Sequence, residues 1–401
     1  MNRIHPQKIP GVLSSFLIVL LLITATIHGQ DVQSRQPMLP DDTIRAYHPA
    51  TTSQNIPFYL TIDGQVHQPG KPVLPGIETV RPGAIRLTEE SYIVRQLPAD
   101  GFAYGSKGKI TWEIRDFKGG IVGNISHPFI GDAPLPTLYA SESGRRFTVI
   151  DPWEFTVHWY SATEHLQDIH LPAEDAIHSS EPRITGSWNP QGTRFLVAAN
   201  YNGPGEDGTE STVTLFTGDG EQIMQRTLPL EYPGSVVMDS AREITMVSGH
   251  SYPDGELTKR YYLLNSAGEI VHTGDGLAIG ASFRTESGGV VWGRRFVHYY
   301  ENLAEAPVWT EHFPGEKKTM CLEAIPLNGG GIALLRGTST PKGGEYVFQD
   351  PVLFVYNGDG ELIRELAFPD EVMYEPFMKY VIDQNHIILG TSERLHTIAV
   401  D

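Results

Sequence analysis

The chain has 401 residues, with 48 Asp and Glu against 30 Lys and Arg, a formal net charge of −18 and one cysteine. Such acidity opposes nucleic acid and anionic lipid as partners. The lone Cys321 excludes an intramolecular disulfide, so a hydrophobic core must stabilise the fold.

At the amino terminus, Arg3 and Lys8 precede an apolar run from Val12 to Ile27, with small residues at Ala25 and Gly29. That is the order of a secretory signal over residues 1–29. The 16-residue run is softened by Ser14, Ser15, Thr24 and Thr26 and falls short of the ~20 apolar residues of a spanning helix. An uncleaved anchor is the alternative. The expectation is an exported protein, periplasmic, cell-surface or extracellular, with no membrane insertion beyond this segment. Residues 1–30 hold two Lys or Arg and no acid, so their removal leaves 28 positive against 48 negative groups, a net −20. Residues 30–55, rich in Gln, Pro, Thr and Asp with little apolar periodicity, read as a linker. Residues 56–401 read as one domain.

Within that domain, short runs of β-branched and aromatic residues alternate with Gly, Asn, Asp and Pro, and no long helical period appears. Three phrases repeat a hairpin: "LFTGDGEQIMQRTL" from Leu215, "YYLLNSAGEIVHTG" from Tyr261 and "LFVYNGDGELIREL" from Leu353. A second hairpin precedes each, its more apolar strand starting at Ile93, Phe147, Phe195, Ile244, Val290, Ile332 and Ile387, at intervals averaging 49 residues. Two hairpins per unit at this period predict an all-β protein, a β-propeller of seven four-stranded blades, with six or eight as the alternatives. The seventh unit ends at Asp401 after about three strands, and the strand "IPFYLTIDGQV", Ile56 to Val66, is expected to complete it.

At "WNPQGTRFLVA", Trp188 to Ala198, the sequence resembles the repeat phrase of TolB-like and WD40-like bacterial propellers, with looser echoes at "SESGRRFTVI" and "NGGGIALL". The Gly-His and Trp-Asp pairs of true WD40 repeats are absent. The resemblance implies the fold and no activity, because propellers host scaffolds, binding modules and enzymes alike.

Turns between first and second strands, and between third and fourth, lie on one face of such a disc and are short here. Connections on the opposite face are long, among them residues 97–109, 200–211, 249–259, 337–350 and 367–376. Binding residues collect on such loops. The candidate set on this face is Tyr104, Trp153, Tyr201, His250, Tyr252, Arg294, Tyr346 and Tyr374, rings and a guanidinium suited to a protein, peptide or glycan. A monomer without a cofactor is expected.

Catalytic signals are weak. "GHSYP" places Ser251 in a hydrolase-like phrase, but Pro253 replaces the last glycine of the elbow. His158, His165, His170 and His178 are dense, yet their spacing fits no metal motif, and structural hydrogen bonding is the simpler account. Glu206, Asp207 and Glu210, and Asn357, Asp359 and Glu361, offer oxygens for calcium without matching a calcium loop; turn chemistry explains them as well. The leading expectation is an exported, non-catalytic propeller that binds through its long-loop face. The rival is an enzyme acting on glycans or lactones with a divalent cation at the channel, drawing on Glu206, Asp207, His250, Asp254, Arg294, Glu345 and Glu375.

Overall fold

The structure is a computed structural model. It describes residues 32–35, 44–51, 57–61, 66–67, 85–96 and 107–400, apart from 131–134, 172–183, 201–209, 240–243, 284–287, 304, 314–318 and 343–344. Alternating apolar positions separated by turn residues form antiparallel strands throughout, and these assemble into a β-propeller of seven blades.

We letter the strands a to d from the innermost outward. Blade 1 is Ile85–Leu87, Ser91–Gln96, Lys107–Asp116 and Ile121–Ile130; blade 2 is Thr137–Ala140, Phe147–Asp151, Thr156–Tyr160 and His165–His170. Blade 3 is Ile184–Trp188, Arg194–Ala199, Ser211–Thr217 and Gln222–Leu228; blade 4 is Tyr232–Met238, Thr245–Ser251, Thr258–Leu264 and Ile270–Asp275. Blade 5 is Ala278–Phe283, Gly289–Gly293, Phe296–Tyr300 and Trp309–His312; blade 6 is Thr319–Pro326, Ile332–Lys342, Glu345–Tyr356 and Leu362–Ala367. Blade 7 is Met378–Val381, His386–Gly390 and Leu395–Ala399, completed on its outer edge by Val32–Arg35. Each expected start of an apolar strand falls within two residues of an observed strand b.

The closing strand is not the expected one. Val32–Arg35 pairs antiparallel with Leu395–Ile398, whereas Pro57–Thr61 pairs with Ile44–Thr51 and Val66–His67 in a separate three-stranded sheet. Parts of the stretch read as a linker are therefore strands. The physical reason is that an open edge selects any chain able to supply backbone donors and acceptors, and a polar sequence does so as well as an apolar one. The accessory sheet packs on the flank of blade 7 that faces away from blade 6. Tyr47 stacks on Phe377 with ring centroids 5.2 Å apart, and its hydroxyl donates to the carbonyls of Thr391 at 2.8 Å and Arg394 at 3.1 Å. Gly390 leaves room for that ring: a Cβ there would lie 2.3 Å from it.

The repeated hairpin owes its form to its turn. In residues 357–361 the Asn357 side chain accepts from the backbone N–H of Asp359 at 3.1 Å and Glu361 at 2.9 Å, while its amide donates to Glu361 Oε2 at 3.0 Å. Gly360 takes φ of +80°, which glycine adopts without steric cost. Asn265 makes the same bonds to Ala267 and Glu269. These side-chain oxygens close turns.

Cores form between blades rather than within them. Trp159 and Val157 of blade 2 pack with Trp188, Phe195 and Phe216 of blade 3, the Trp159 ring lying edge-on to Phe195 at 5.4 Å and to Phe216 at 5.3 Å. Burying a side chain of this size stabilises by roughly 1.5–3 kcal/mol. Equivalent clusters join each successive pair from blades 1 and 2 to blades 6 and 7. Side chains on blade flanks are thus core by default, and a polar group there requires a partner.

Candidate binding face and the polar junctions behind it

The b–c turns and the connections between blades share one face. At the junction of blades 1 and 2 it holds a cleft of about 210 Å³ lined by Lys107, Gly108, Pro128, Phe129, Ile130, Pro136, Asp151, Trp153 and Glu154. Asp151 ends strand b and organises the following turn: its Oδ1 accepts from the N–H of Trp153 at 2.8 Å and of Glu154 at 3.0 Å. Its Oδ2 is 2.9 Å from His127 Nε2, a residue of blade 1. Burial pushes the Asp151 carboxyl up, but the hydrogen bonds from His127 and the two amides outweigh it and hold it below the usual carboxylate range. The same carboxylate thereby ties two blades and fixes the half-buried Trp153 at the cleft.

On blade 4, Tyr232 stacks on His250 with centroids 4.7 Å apart and planes within 9°, and Tyr252 meets both edge-on at 6.1 Å and 5.6 Å. The turn that presents Tyr252 is held by its N–H donating to Glu231 Oε2 at 3.3 Å. The Tyr252 side chain remains 45% exposed. Ser251, next to it, is buried in strand b and has no strand-to-helix elbow around it.

In the stretch 337–350, expected as an irregular loop, residues up to Lys342 and from Glu345 are instead a continuation of strands b and c of blade 6. The ladder pairs Thr338 with Gln349, Ser339 with Phe348, Thr340 with Val347, Pro341 with Tyr346 and Lys342 with Glu345. In the sequence, two glycines between β-branched flanks suit a hairpin. Val372–Met373 adds a strand to it at Phe348 and Gln349, and Lys342 Nζ stands 5.9 Å from the Tyr374 ring. Near the tip, Tyr346 is 72% exposed. Arg294 sits exposed in the b–c turn of blade 5, and its carbonyl accepts from Cys321 N–H of blade 6 at 3.0 Å. Tyr104, Tyr201, Glu206, Asp207 and His178 lie outside the described residues.

Three other members of the set expected at the channel have local settings of their own. Glu375 pairs with Arg45 at 3.3 Å, Asp254 is exposed in a short turn, and His250 is in the stack on blade 4. A concavity of about 570 Å³ opens on the opposite face near Tyr299, Glu301, Asn328, Gly329, Gly330 and Ile382.

Two polar clusters lie between blades, and sequence spacing does not reveal their partners. His158 Nδ1 lies 2.6 Å from Asp168 Oδ1, and His165 Nε2 lies 2.7 Å from the same oxygen. The His158 ring rests against His127 at 4.4 Å. Burial lowers the His158 pKa, so the imidazole is neutral and donates to Asp168. Burial pushes the Asp168 carboxyl up, but the hydrogen bonds from the two imidazoles outweigh it and hold it below its ordinary value. His170, on the same strand, bonds Thr156 Oγ1 at 3.0 Å.

At the junction of blades 4 and 5, Tyr261 Oη is 2.6 Å from His298 Nδ1 and also bonds Tyr300 Oη. Burial, helped by His312 and His272, pushes His298 down to about 4. A sequence signal existed for both: "VHWY" at 157–160 and "VHYY" at 297–300 occupy equivalent strands c.

No protein-family model matches the chain and no curated protein matches it. Among solved structures, the Dos1 propeller is similar at 11% identity and a TM-score of 0.51, covering 88% of this chain and 81% of that one. A eukaryotic initiation factor structure matches at 11% identity over 83% and 90% of the two chains with a TM-score of 0.46. The β-propeller domain of the Trilobed protease from Pyrococcus furiosus matches at 12% over 79% and 92% with 0.38. At these identities the Dos1 propeller speaks to fold alone, and the lower scores add nothing to it.

Proposed function

We propose that the chain is an exported, non-catalytic binding module whose long-loop face takes an extended ligand, a protein or peptide segment or a glycan chain. One observation carries this reading: the face presents the Tyr232, His250 and Tyr252 stack and a hairpin with an exposed Tyr346. Rings with a polar tip supply contact area at low conformational cost and recur at recognition surfaces. Pre-organisation by Glu231 beneath Tyr252 and by Asp151 beneath Trp153 reduces the ordering penalty on binding. The apolar run at 12–27 supports export.

The test is a screen of the chain from Gln30 onward against an immobilised peptide library and a glycan array, repeated with Tyr252→Ala, Tyr346→Ala and Trp153→Ala. Central aromatic anchors are worth about 2 kcal/mol or more when truncated. The expected result is a loss of at least tenfold in affinity in one or more variants with an unchanged melting temperature. Binding that survives all three substitutions but is abolished by Asn328→Arg, which fills the opposite concavity, would move the site to the other face and overturn the proposal.

A further inference from the structure

The outer strands of blade 2 bring three nitrogen and oxygen donors to one place, and a local irregularity is what makes it so. His158 on strand c is directly opposite Asp168 on strand d, so their side chains share a flank of the sheet. His165 is three residues before Asp168, and in a regular strand such residues face opposite ways. The register shifts at Trp159/Tyr160, with Trp159 opposite Gln167 and Tyr160 opposite His165, so Leu166 is the extra residue. Tyr160 lies two residues from His158 and on its flank, and the bulge therefore swings His165 onto the flank of His158 and Asp168. Re-aiming a side chain in this way is a recurrent use of β-bulges.

The donor atoms all lie within 4.8 Å of one another, and ligands about 2.0–2.2 Å from one ion stand roughly 3–4 Å apart. Small rotations suffice to close the set. We propose that His158 Nδ1, His165 Nε2 and a carboxylate oxygen of Asp168 bind one divalent ion of the zinc class. Two imidazoles with one carboxylate suit zinc and neighbouring transition metals, whereas calcium and magnesium take oxygen sets.

The surroundings fit a site of this kind. His158 is buried against His127, which Asp151 holds in turn, so one ligand is rigid. The Asp168 side chain is 41% exposed and that of His165 47%, which leaves a route for the ion and coordination positions for water. On binding, two N–H···O hydrogen bonds are replaced by metal–nitrogen and metal–oxygen bonds. Each imidazole binds through an unprotonated nitrogen and carries its proton on the other, and the carboxylate offsets one charge of the ion. Three protein ligands with an open position is the arrangement that leaves a metal reactive toward further ligands.

The test uses the chain from Gln30 onward, stripped with EDTA and titrated with Co2+ and Zn2+, reading visible cobalt absorption, native mass and melting temperature. His165→Ala and Asp168→Asn are made at exposed positions so that folding is retained, and unchanged melting of both in EDTA checks this. One ion per chain in the wild type, a zinc-dependent rise in melting temperature and a loss of at least tenfold in affinity in each variant are expected. No ion retained above the EDTA baseline, or unchanged affinity in either variant, would reduce the triad to a hydrogen-bonded cluster and overturn the assignment.

Discussion

The junctions of blades 1 with 2 and 4 with 5 start from the same phrase, Val-His-aromatic-Tyr on strand c, and end in different chemistry. His298 stands opposite Thr310 and turns to Tyr261, whose hydroxyl also bonds Tyr300, whereas His158 stands opposite Asp168. One junction is sealed and neutral; the other carries a half-exposed carboxylate with a second imidazole swung in by a bulge. A blade flank accepts a histidine as core wherever a hydroxyl satisfies it. A single acid on the neighbouring strand converts the same position into a polar site open to solvent.

That contrast is tested most severely by acid. His298 is held near 4 while the unfolded chain titrates near 6.5, so the unfolded state takes up the proton first. The stability tied to this group is complete above pH 6.5 and is lost as pH falls from 6.5 towards 4, by roughly 3 kcal/mol. Urea unfolding across that interval should show the slope, and His298→Gln should flatten it. A slope unchanged by the substitution would place the acid sensitivity elsewhere.

Next in size is Tyr261→Phe, which deprives His298 and Tyr300 of their shared hydroxyl and should cost about 2 kcal/mol in chemical denaturation at neutral pH. Asp168→Asn at the other junction should change stability by less than about 1 kcal/mol without metal, because its carboxylate is solvent-screened. Equal losses in the two variants would erase the distinction between sealed and open. The smallest effect is the transplant Thr310→Asp, which sets an acid opposite His298 as Asp168 is set opposite His158. It should raise the His298 pKa by about one unit in an NMR titration, with little change in melting temperature at neutral pH.

Much of this architecture was legible because it is encoded locally. The starts Ile93 through Ile387 mark strands b since apolar alternation and turn residues act over a few positions, and the Asn357 and Asn265 turns follow from side chains reaching their own backbone. The identity of the closing strand is not legible in the sequence because pairing at Val32–Arg35 depends on a distant open edge rather than on its own polarity. The pairing of Thr338 with Gln349 is hidden because glycines and Pro341 obscure the alternation of the sequence. The approach of His165 to His158 and Asp168 is not legible because motif spacing assumes regular geometry, and the bulge beside Tyr160 breaks that assumption.

By itself, then, the sequence determined the all-β repeat, its seven units and the chemistry of its turns, all matters of short-range periodicity and backbone satisfaction. Tertiary structure alone decided which flanks meet. His127 reaches His158 and Asp151, and Tyr261 reaches His298, only because successive blades pack face to face. Partners far apart in the chain are chosen by the geometry of the ring, and no local spacing records that choice.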